Sequence, residues 1–336
     1  MQSNKNKRLT SPATASICAL VSLLLIVTVS GKARAQTPTR LGILVQEMGR
    51  SQSQAIKGLT EELRRLGYRE RENLLLETRD VKGNRAALPP MAAELLARGA
   101  KLIFTTGTSA TRAAMAATKD IPIVFVYPGN PIGAGIVKSS DERAKNLTGV
   151  AAYAGQTTEK RLAFLKEIVP ALQTIVVFYD FNNSFARESV KQAEGLAKNI
   201  GLQTVGYPVK SSDELRTTLA SLQAEKSMAI FQVSDELVET EAEFLFATAR
   251  QKKLPTMFNE ESWVIAGALA AYGPSYFEMG RQAGRVVDRI FKGDKPELLS
   301  IERAAKFDLT LNYRTATFIG VKLPPSLIKQ ANKVIR

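Results

Sequence analysis

Short apolar runs alternate with amphipathic segments from residue 40 onward. In the segment 51–66, apolar residues recur at spacings of 3, 4 and 3 between Ile56 and Leu66, which is the period of a helix with one buried face. Gly67 then provides a stop signal for this helix. Runs rich in β-branched and apolar residues predict buried strands on either side of such helices, at 41–45, 74–78, 102–105 and 123–126.

The same pattern returns in the second half of the chain. A predicted strand at 175–179 and a predicted helix near 185–200, which ends at Gly201, repeat the earlier strand and helix at an offset of 134 residues (201 minus 67). Further strands are predicted at 202–209, 228–233 and 256–258. This alternation predicts an α/β fold of two doubly wound parallel-sheet lobes.

Three strand-like segments are expected to carry the chain between the lobes. They are LTGVAAY at 147–153, ALAAYGP at 268–274 and KFDLTLN at 306–312. Together they predict a multi-strand hinge. The expected division assigns 36–148 plus about 273–304 to lobe 1 and 149–272 plus about 305–336 to lobe 2.

The N-terminus has the pattern of a secretory signal peptide. Lys5 and Arg8 precede an apolar run at 17–29, and the small-residue motif Ala33-Arg34-Ala35 follows it. A run of this length is short of the roughly 20 residues that span a bilayer. We therefore expect residues 1–35 to be cleaved and the mature protein to reach the periplasm.

The residue types that are missing exclude much chemistry. The chain has no histidine, and its one cysteine, Cys18, lies within the predicted leader. Triads that use histidine or cysteine, and metal sites built on them, are therefore excluded. The formal net charge of +14 comes from scattered Lys and Arg residues, which does not indicate nucleic-acid binding. We expect no metal, no cofactor and no enzymatic activity, although a sugar hydrolase that uses only carboxylates remains an alternative.

Polar residues follow the predicted strands of both lobes. In open α/β sheets ligands bind beyond the carboxyl ends of the strands, so two facing lobes predict one cleft. The candidate ligand-binding residues are Gln46, Thr106, Thr108, Ser109, Ala110, Asn130, Asn183, Ser184, Asp235, Glu261 and Tyr272.

The stretch TTGTSA at 105–110 predicts a strand that turns directly into a helix. The backbone N–H groups and partial positive charge at such a helix start can hold a carboxylate or a phosphate. The spacing matches neither nucleotide-binding glycine motif. In this hypothesis Thr106, Ser109 and Ala110 hold a carboxylate, and Asp235 takes an ammonium.

Each candidate also has a purely structural interpretation. Thr108, Ser109, Asn183 and Ser184 are good helix N-cap residues, and Asp235 can cap a helix instead of binding an ammonium. Asn130 before a proline is a natural turn signal. Tyr272, like Trp263, can pack in the core. The consecutive Glu260 and Glu261 are expected to point in different directions rather than form an acid/base pair.

Longer stretches carry a resemblance to a known family. They are PIVFVYPGNPIGAGIV (122–137), NLTGVAAY (146–153), RLAFLKEIVPALQTIVVFYDFNNS (161–184), GALAAYGPSYFEMGRQAGRVVDRIFKGDKP (267–296) and the ending KFDLTLN then PPSLI. In these the chain resembles the ABC-transporter substrate-binding proteins of the tryptophan/tyrosine-binding-like branch, which have the type I periplasmic binding fold. The resemblance covers nearly all of residues 38–335.

The resemblance implies a function and a set of partners. Proteins of this family capture a small molecule, often an aromatic or other amino acid, between their lobes and deliver it to an ABC permease in the inner membrane. It implies that the turn of Ser109 meets the ligand carboxylate, that Asn183, Ser184 and Asp235 approach from the second lobe, and that a hinge closes. This chain has Asn130 where relatives usually have Asp. We expect a monomer, with a sensor component for a membrane receptor or kinase as the alternative function.

Overall fold

A computed structural model defines the fold of the chain. It describes residues 37–127, 131–132, 135–137, 146–152 and 155–336. The predicted leader (1–35) and Asn130 lie outside the described residues.

The described residues alternate strands and helices in the predicted order. The strands are β1 (Thr39–Val45), β2 (Leu74–Asp80), β3 (Leu102–Thr106), β4 (Ile123–Tyr127), β5 (Leu147–Ala151), β6 (Thr174–Asp180), β7 (Gln203–Val209), β8 (Met228–Phe231), β9 (Thr256–Phe258), β10 (Ala270–Pro274), β11 (Glu302–Arg303), β12 (Phe307–Asn312) and β13 (Lys333–Ile335). The helices are α1 (Arg50–Arg65), α2 (Leu88–Ala97), α3 (Thr108–Ala117), α4 (Gly155–Ile168), α5 (Ser184–Asn199), α6 (Ser212–Ser221), α7 (Glu236–Thr240), α8 (Ala242–Gln251), α9 (Glu261–Ala266), α10 (Tyr276–Phe291), α11 (Tyr313–Ile319) and α12 (Pro325–Gln330).

The first sheet is parallel throughout, in the order β2-β1-β3-β4-β5-β11. Its strands are buried on both faces because helices cover each side. Helices α1 and α10 pack on one face, where Leu59, Leu63 and Met279 contribute to the core, and α2 and α3 pack on the other, where Leu95 and Ala114 do so. We call this sheet with these four helices the first lobe.

The second sheet has the order β7-β6-β8-β9-β10-β12-β13. Strands β6 to β10 are parallel, and β12 runs antiparallel to β10. Helices α4, α5, α11 and α12 cover one face, and α6 to α9 cover the other. We call this sheet with these eight helices the second lobe.

The two sheets repeat one strand order. The series β2-β1-β3-β4-β5 and the series β7-β6-β8-β9-β10 have the same connectivity, and the strand order reverses between β1 and β3 in the first and between β6 and β8 in the second. Gly67 and Gly201, which follow α1 and α5, both have positive φ (97° and 74°), a conformation that glycine adopts without a steric penalty. The predicted two-lobed, doubly wound α/β fold is confirmed.

Helices α1 and α10 approach each other unusually closely. A Cβ atom on Gly58 would lie 1.9 Å from the Phe277 carbonyl oxygen, and one on Gly280 would lie 2.0 Å from that of Ala55. Only glycine permits this separation of the two backbones. The helix α10, which follows β10 of the second lobe, is thereby fixed onto the first lobe.

A buried carboxylate lies beside the same helix pair. The side chain of Glu62 is 1% exposed and contacts Arg65, Arg281 and Arg285 at 2.6, 3.1 and 3.4 Å. The hydrogen bond from Arg65, with further contributions from Arg281, lowers the pKa of Glu62 to about 2 against the opposing effect of burial. The ion-pair network therefore links α1 to α10 through charge as well as through packing.

Candidate functional site

The carboxyl ends of the strands carry most of the predicted site residues. In the first lobe, Thr106 ends β3, and Thr108, Ser109 and Ala110 form the first turn of α3. In the second lobe, Asn183 and Ser184 follow β6, Asp235 follows β8, Glu261 follows β9, and Tyr272 lies within β10.

The N-terminus of α3 has no side-chain cap. Its N-cap residue is Gly107, with φ of 79°, and no side chain accepts a hydrogen bond from the first turn. The hydroxyl oxygen of Thr106, a residue that is 6% exposed, has no hydrogen-bond partner among the described residues. Among the described residues, the first turn of α3 therefore lacks a side-chain cap, and the Thr106 hydroxyl at the end of the preceding strand lacks a partner.

Side chains below this turn hold it in place. Thr111 Oγ1 donates to the Gly107 carbonyl oxygen at 2.7 Å and lies 2.8 Å from Thr105 Oγ1. Tyr127, at the end of the neighbouring strand β4, is hydrogen-bonded to the Thr108 side chain, and burial raises the pKa of Tyr127 above its usual value. The turn is thus a fixed element rather than an adaptable one.

The corresponding helix starts of the second lobe are occupied by their own side chains. Asn183 Oδ1 accepts hydrogen bonds from the N–H groups of Phe185 and Ala186 and so caps α5. Asp235 caps α7 by accepting from the Val238 N–H at 3.2 Å. Helix α3 therefore differs from α5 and α7 in having an open N-terminus.

The structure brings the side chains of Asp235 and Asn183 into contact. The Asp235 carboxylate accepts from Asn183 Nδ2 at 3.1 Å and from the Asp180 N–H at 3.2 Å, in addition to its capping bond. The residue is 2% exposed, and burial raises its pKa. These contacts favour the capping alternative for Asp235 over the ammonium ligand.

Three other candidates have contacts that lie elsewhere. Gln46 Oε1 accepts from Arg85 Nε at 3.3 Å and so fixes the loop after β2. The Glu261 carboxylate pairs with Lys333 in the last strand. Tyr272 is buried in the core of the second lobe, with its ring 5.1 Å from Phe164 and 6.0 Å from Phe307, which favours the packing alternative.

Glu260, which is not among the predicted ligand-binding residues, has contacts that the sequence did not predict. Glu260, after β9, accepts hydrogen bonds from Ser51 Oγ at 2.8 Å and from Tyr276 OH at 2.6 Å. Ser51 lies on α1 and Tyr276 begins α10, so this carboxylate of the second lobe joins two helices of the first. Burial, followed by the negative charge of Glu260, raises the pKa of Tyr276 well above its usual value.

Two buried amides, Gln232 after β8 and Asn259 after β9, are also not among the predicted ligand-binding residues. Gln232 Nε2 donates to Glu239 Oε1 at 3.3 Å, while Gln232 Oε1 has no hydrogen-bond partner among the described residues. Asn259 Nδ2 donates to Ser234 Oγ at 3.0 Å, and the Asn259 Oδ1 atom is likewise buried without a partner. No sequence signal distinguishes these amides from ordinary strand-end residues, because a buried amide oxygen without a partner is a property of the folded surroundings and not of the residue type.

The described residues were compared with the patterns of a metal-binding cluster and of a membrane-spanning helix. Within the part of the chain that the structure describes, His, Cys, Asp and Glu form no group of three or more that could hold a metal ion. None of the described helices is both long enough and apolar enough to cross a bilayer.

The fold and the strand-end residues define the class of protein. Two α/β lobes of matching strand order, with several crossings between them and polar groups at their carboxyl edges, form a ligand-binding protein of the type I periplasmic fold. The model of the family described as ABC transporter substrate binding protein matches residues 41–335, so the chain belongs to this family. Its members are solute-binding proteins that work with ABC permeases, and they are not enzymes.

Individual relatives are similar over most of the chain. A tyrosine-binding protein of Clostridioides difficile (strain R20291) is 25% identical over 265 residues, which is 79% of this chain and 76% of the relative. The solved ABC domain in complex with L-Trp from Streptococcus pneumoniae is 22% identical, with a TM-score of 0.76 over 89% of this chain and 100% of that one. A conserved domain protein from Vibrio cholerae O1 biovar eltor is 26% identical, with the same TM-score and coverage.

Proposed function

We propose that this protein is the extracytoplasmic receptor of an ABC importer. It captures a small carboxylate-bearing, amino-acid-like ligand between its two lobes and closes over it by a hinge. The closed protein then delivers the ligand, chemically unaltered, to a permease in the inner membrane. For closure to follow binding, the ligand must contact the closed state more favourably than the open one.

The open N-terminus of α3 is the observation that carries this proposal. Among the described residues its first turn has no side-chain cap and the Thr106 hydroxyl has no partner, and the helix dipole adds partial positive charge. A carboxylate can accept hydrogen bonds from these donors, and its negative charge interacts favourably with the partial positive charge of the helix start. In this proposal Ser109 and Ala110 supply the backbone donors, and Thr106 supplies a hydroxyl.

The contacts of Glu260 support the closing motion. Ser51 and Tyr276 of the first lobe both donate to this carboxylate of the second lobe. These hydrogen bonds connect the two lobes, and in this proposal they help to hold the closed arrangement.

The relatives support the ligand class. One is a tyrosine-binding protein, and another was solved with L-Trp bound. Aromatic amino acids are therefore the first ligands to test for binding to this chain.

Ligand screening of the purified protein tests the proposal. The full chain is expressed with its own leader, recovered from the periplasm, and heated with amino acids, aromatic carboxylic acids, nucleosides and sugars. A ligand present at about 100 times its Kd adds about 2.7 kcal/mol to the unfolding free energy and raises the Tm. The Kd of each ligand found is then measured by calorimetry.

A pair of tryptophan substitutions tests the location of the site. Ser109→Trp places a large ring over the first turn of α3 and is expected to weaken binding about 100-fold. Thr217→Trp, at an exposed position in α6, is the matched control and leaves the Kd unchanged. Equal Kd values for both variants contradict the proposed site, and the absence of binding to any carboxylate contradicts the proposed function.

A further inference from the structure

Three arginines converge on one buried carboxylate where α1 packs against α10. Arg65 donates to both oxygens of Glu62, through Nε at 3.2 Å and through Nη2 at 2.6 Å. Arg281 Nε donates to the same carboxylate at 3.1 Å, and Arg285 Nη1 does so at 3.4 Å. A carboxylate has about four acceptor positions, so these four hydrogen bonds occupy both oxygens of Glu62 fully.

The guanidinium groups of this cluster keep donors that Glu62 does not use. Each guanidinium has five N–H donors. Bonds to Glu62 and Glu278 use two donors of Arg65, two of Arg281 and one of Arg285. The side chains of Arg65, Arg281 and Arg285 are 60%, 35% and 45% exposed, so a molecule in solution can reach them. Glu62 therefore orients the three guanidinium groups and leaves most of their donors available.

An open depression of about 340 Å³ lies over this cluster. It is lined by Glu61, Glu62, Arg64, Arg65, Phe277 and Arg281. The volume falls within the range of about 300–1,000 Å³ that is typical of small-molecule sites. The guanidinium of Arg64 is exposed and makes no hydrogen bond or ion pair with the described residues. The depression therefore combines a free guanidinium with the oriented ones.

Helix stability explains only part of this arrangement. Arg64 and Arg65 lie in the last turn of α1, where positive charge offsets the helix dipole. Arg281 and Arg285 lie in the middle of α10, where the dipole gives no such advantage. Their position on the same surface as the end of α1 therefore needs another explanation.

The surface around the depression carries an excess of positive charge. Five basic residues face three acidic ones, namely Lys57, Arg64, Arg65, Arg281 and Arg285 against Glu61, Glu62 and Glu278. Two positive charges therefore remain uncompensated. A phosphate monoester carries a charge of about −1.5 to −2 near pH 7 and three acceptor oxygens, which matches this excess.

We propose that this depression is a second binding site, which takes a phosphate monoester. The planar guanidinium group binds two phosphate oxygens at once, so several of them can share one phosphate. Phe277 provides an apolar wall for an organic group attached to the phosphate. Helix α1 begins beyond the carboxyl end of β1 and runs back along the sheet, so its last turn lies away from the cleft. The inference therefore does not depend on the proposed function.

Titration with phenyl phosphate and with inorganic phosphate tests this site. Calorimetry on the full chain is carried out at constant ionic strength, with sodium chloride as the blank. The wild-type protein is expected to bind one phenyl phosphate per chain. It should bind inorganic phosphate more weakly, because that ion has no organic group to contact Phe277. This comparison needs no substitution, so it does not depend on whether a variant folds.

Three variants then locate the bound phosphate. Arg64→Gln removes one charged donor and is expected to weaken the binding of phenyl phosphate about tenfold. Arg314→Gln, at an exposed position in α11 of the second lobe, is the matched control and keeps the wild-type Kd. Ser109→Trp blocks the start of α3 and should also keep it, because the phosphate lies outside the cleft. The thermal midpoint of each unliganded variant checks that it is folded.

Vesicles identify the source of the phosphate, because the headgroup of phosphatidic acid is also a phosphate monoester. The protein is sedimented with vesicles of phosphatidylcholine alone and of phosphatidylcholine with phosphatidic acid. Sedimentation with the second kind only, reduced in Arg64→Gln, supports the site and assigns it to a lipid headgroup. Binding of phenyl phosphate without sedimentation supports the site and assigns it to a soluble ligand.

Three outcomes overturn the proposed phosphate site. They are the absence of binding to both phenyl phosphate and phosphatidic acid, equal Kd values for Arg64→Gln and Arg314→Gln, and loss of phenyl phosphate binding in Ser109→Trp. None of them decides the proposed function, which is tested separately by the ligand screen.

Discussion

Ser51 Oγ donates a hydrogen bond of 2.8 Å to Glu260 Oε2 across 209 residues of chain. Ser51 lies in the first turn of α1 in the first lobe, and Glu260 follows β9 in the second. The bond therefore connects the two lobes directly, at the strand ends where the ligand is proposed to bind.

Ser51→Ala is expected to weaken ligand binding about tenfold. A hydrogen bond to a charged acceptor contributes about 1.5–3 kcal/mol, and its loss shifts the unliganded protein away from the closed arrangement. Calorimetry with the best ligand of the screen measures the change. Ser53→Ala, two residues further along and exposed, is the control and should retain wild-type affinity. An unchanged Kd for Ser51→Ala would show that the contact does not contribute to closure.

Gly280→Ala is expected to destabilise the protein by about 3 kcal/mol or more. The added Cβ atom would lie 2.0 Å from the Ala55 carbonyl oxygen, so α1 and α10 must separate and lose their packing. Urea unfolding measures the free energy of unfolding.

Gly195→Ala is the matched control, because a Cβ atom there meets nothing within 4 Å and the position lies in the middle of α5. That substitution should stabilise the protein by about 0.5–1 kcal/mol. Similar effects of both substitutions would contradict the close approach.

Most of the fold was predictable from hydrophobic periodicity. Buried strands and helices with one apolar face leave regular patterns, and the two glycines that end α1 and α5 marked the repeat. The short edge strands β11 and β13, of two and three residues, were not predicted. The antiparallel direction of β12 was also not predicted, since direction depends on the path of the chain rather than on its pattern.

The candidate site was predictable only in outline. The strand-to-helix turn at Thr106–Ala110 has a local signal, and the expectation that Glu260 and Glu261 diverge is confirmed by their separate partners, Ser51 and Lys333. The pairing of Gln232 with Glu239 has no such signal, because both residues are common on helices and strand ends. Whether Thr106, Ser109 and Ala110 contact a ligand stays a prediction.

Acid is expected to weaken the protein through Glu62. The folded-state pKa of about 2 lies below the usual value of 4.5, so the stabilisation is complete above pH 4.5 and is lost as the pH falls toward 2. A shift of this size corresponds to up to about 3 kcal/mol. Urea unfolding at neutral pH should therefore show a loss of this order for Glu62→Gln, and the variant should lose less further stability in acid than the wild type does.

Glu61→Gln is the matched control for this prediction. Glu61 is the adjacent residue, but its side chain is exposed and lies 3.9 Å from the Lys57 amine in a weak surface pair. The Glu61→Gln substitution should change the free energy of unfolding by less than about 0.5 kcal/mol. Equal effects at the two positions would contradict the role assigned to the arginine cluster around Glu62.

The exported protein is expected to begin at Gln36. Ala33-Arg34-Ala35 fits the small-residue pattern that signal peptidase cleaves, and the apolar run before it is short. N-terminal sequencing of the protein recovered from a periplasmic extract identifies the first residue. Ala35→Pro, which disfavours cleavage at this bond, should leave the leader attached. Recovery of the uncut wild-type chain from the membrane fraction would contradict the prediction.

The late position of α10 in the chain has a consequence for biosynthesis. Glu62 on α1 and Arg281 on α10 pair across 219 residues, so a ribosome makes α1 long before the helix that covers its apolar face. Until α10 emerges, Leu59 and Leu63 remain accessible to chaperones and the first lobe lacks its finished core. If the chain is exported through its predicted leader, we expect this late completion of the first lobe to keep it unfolded during passage across the membrane.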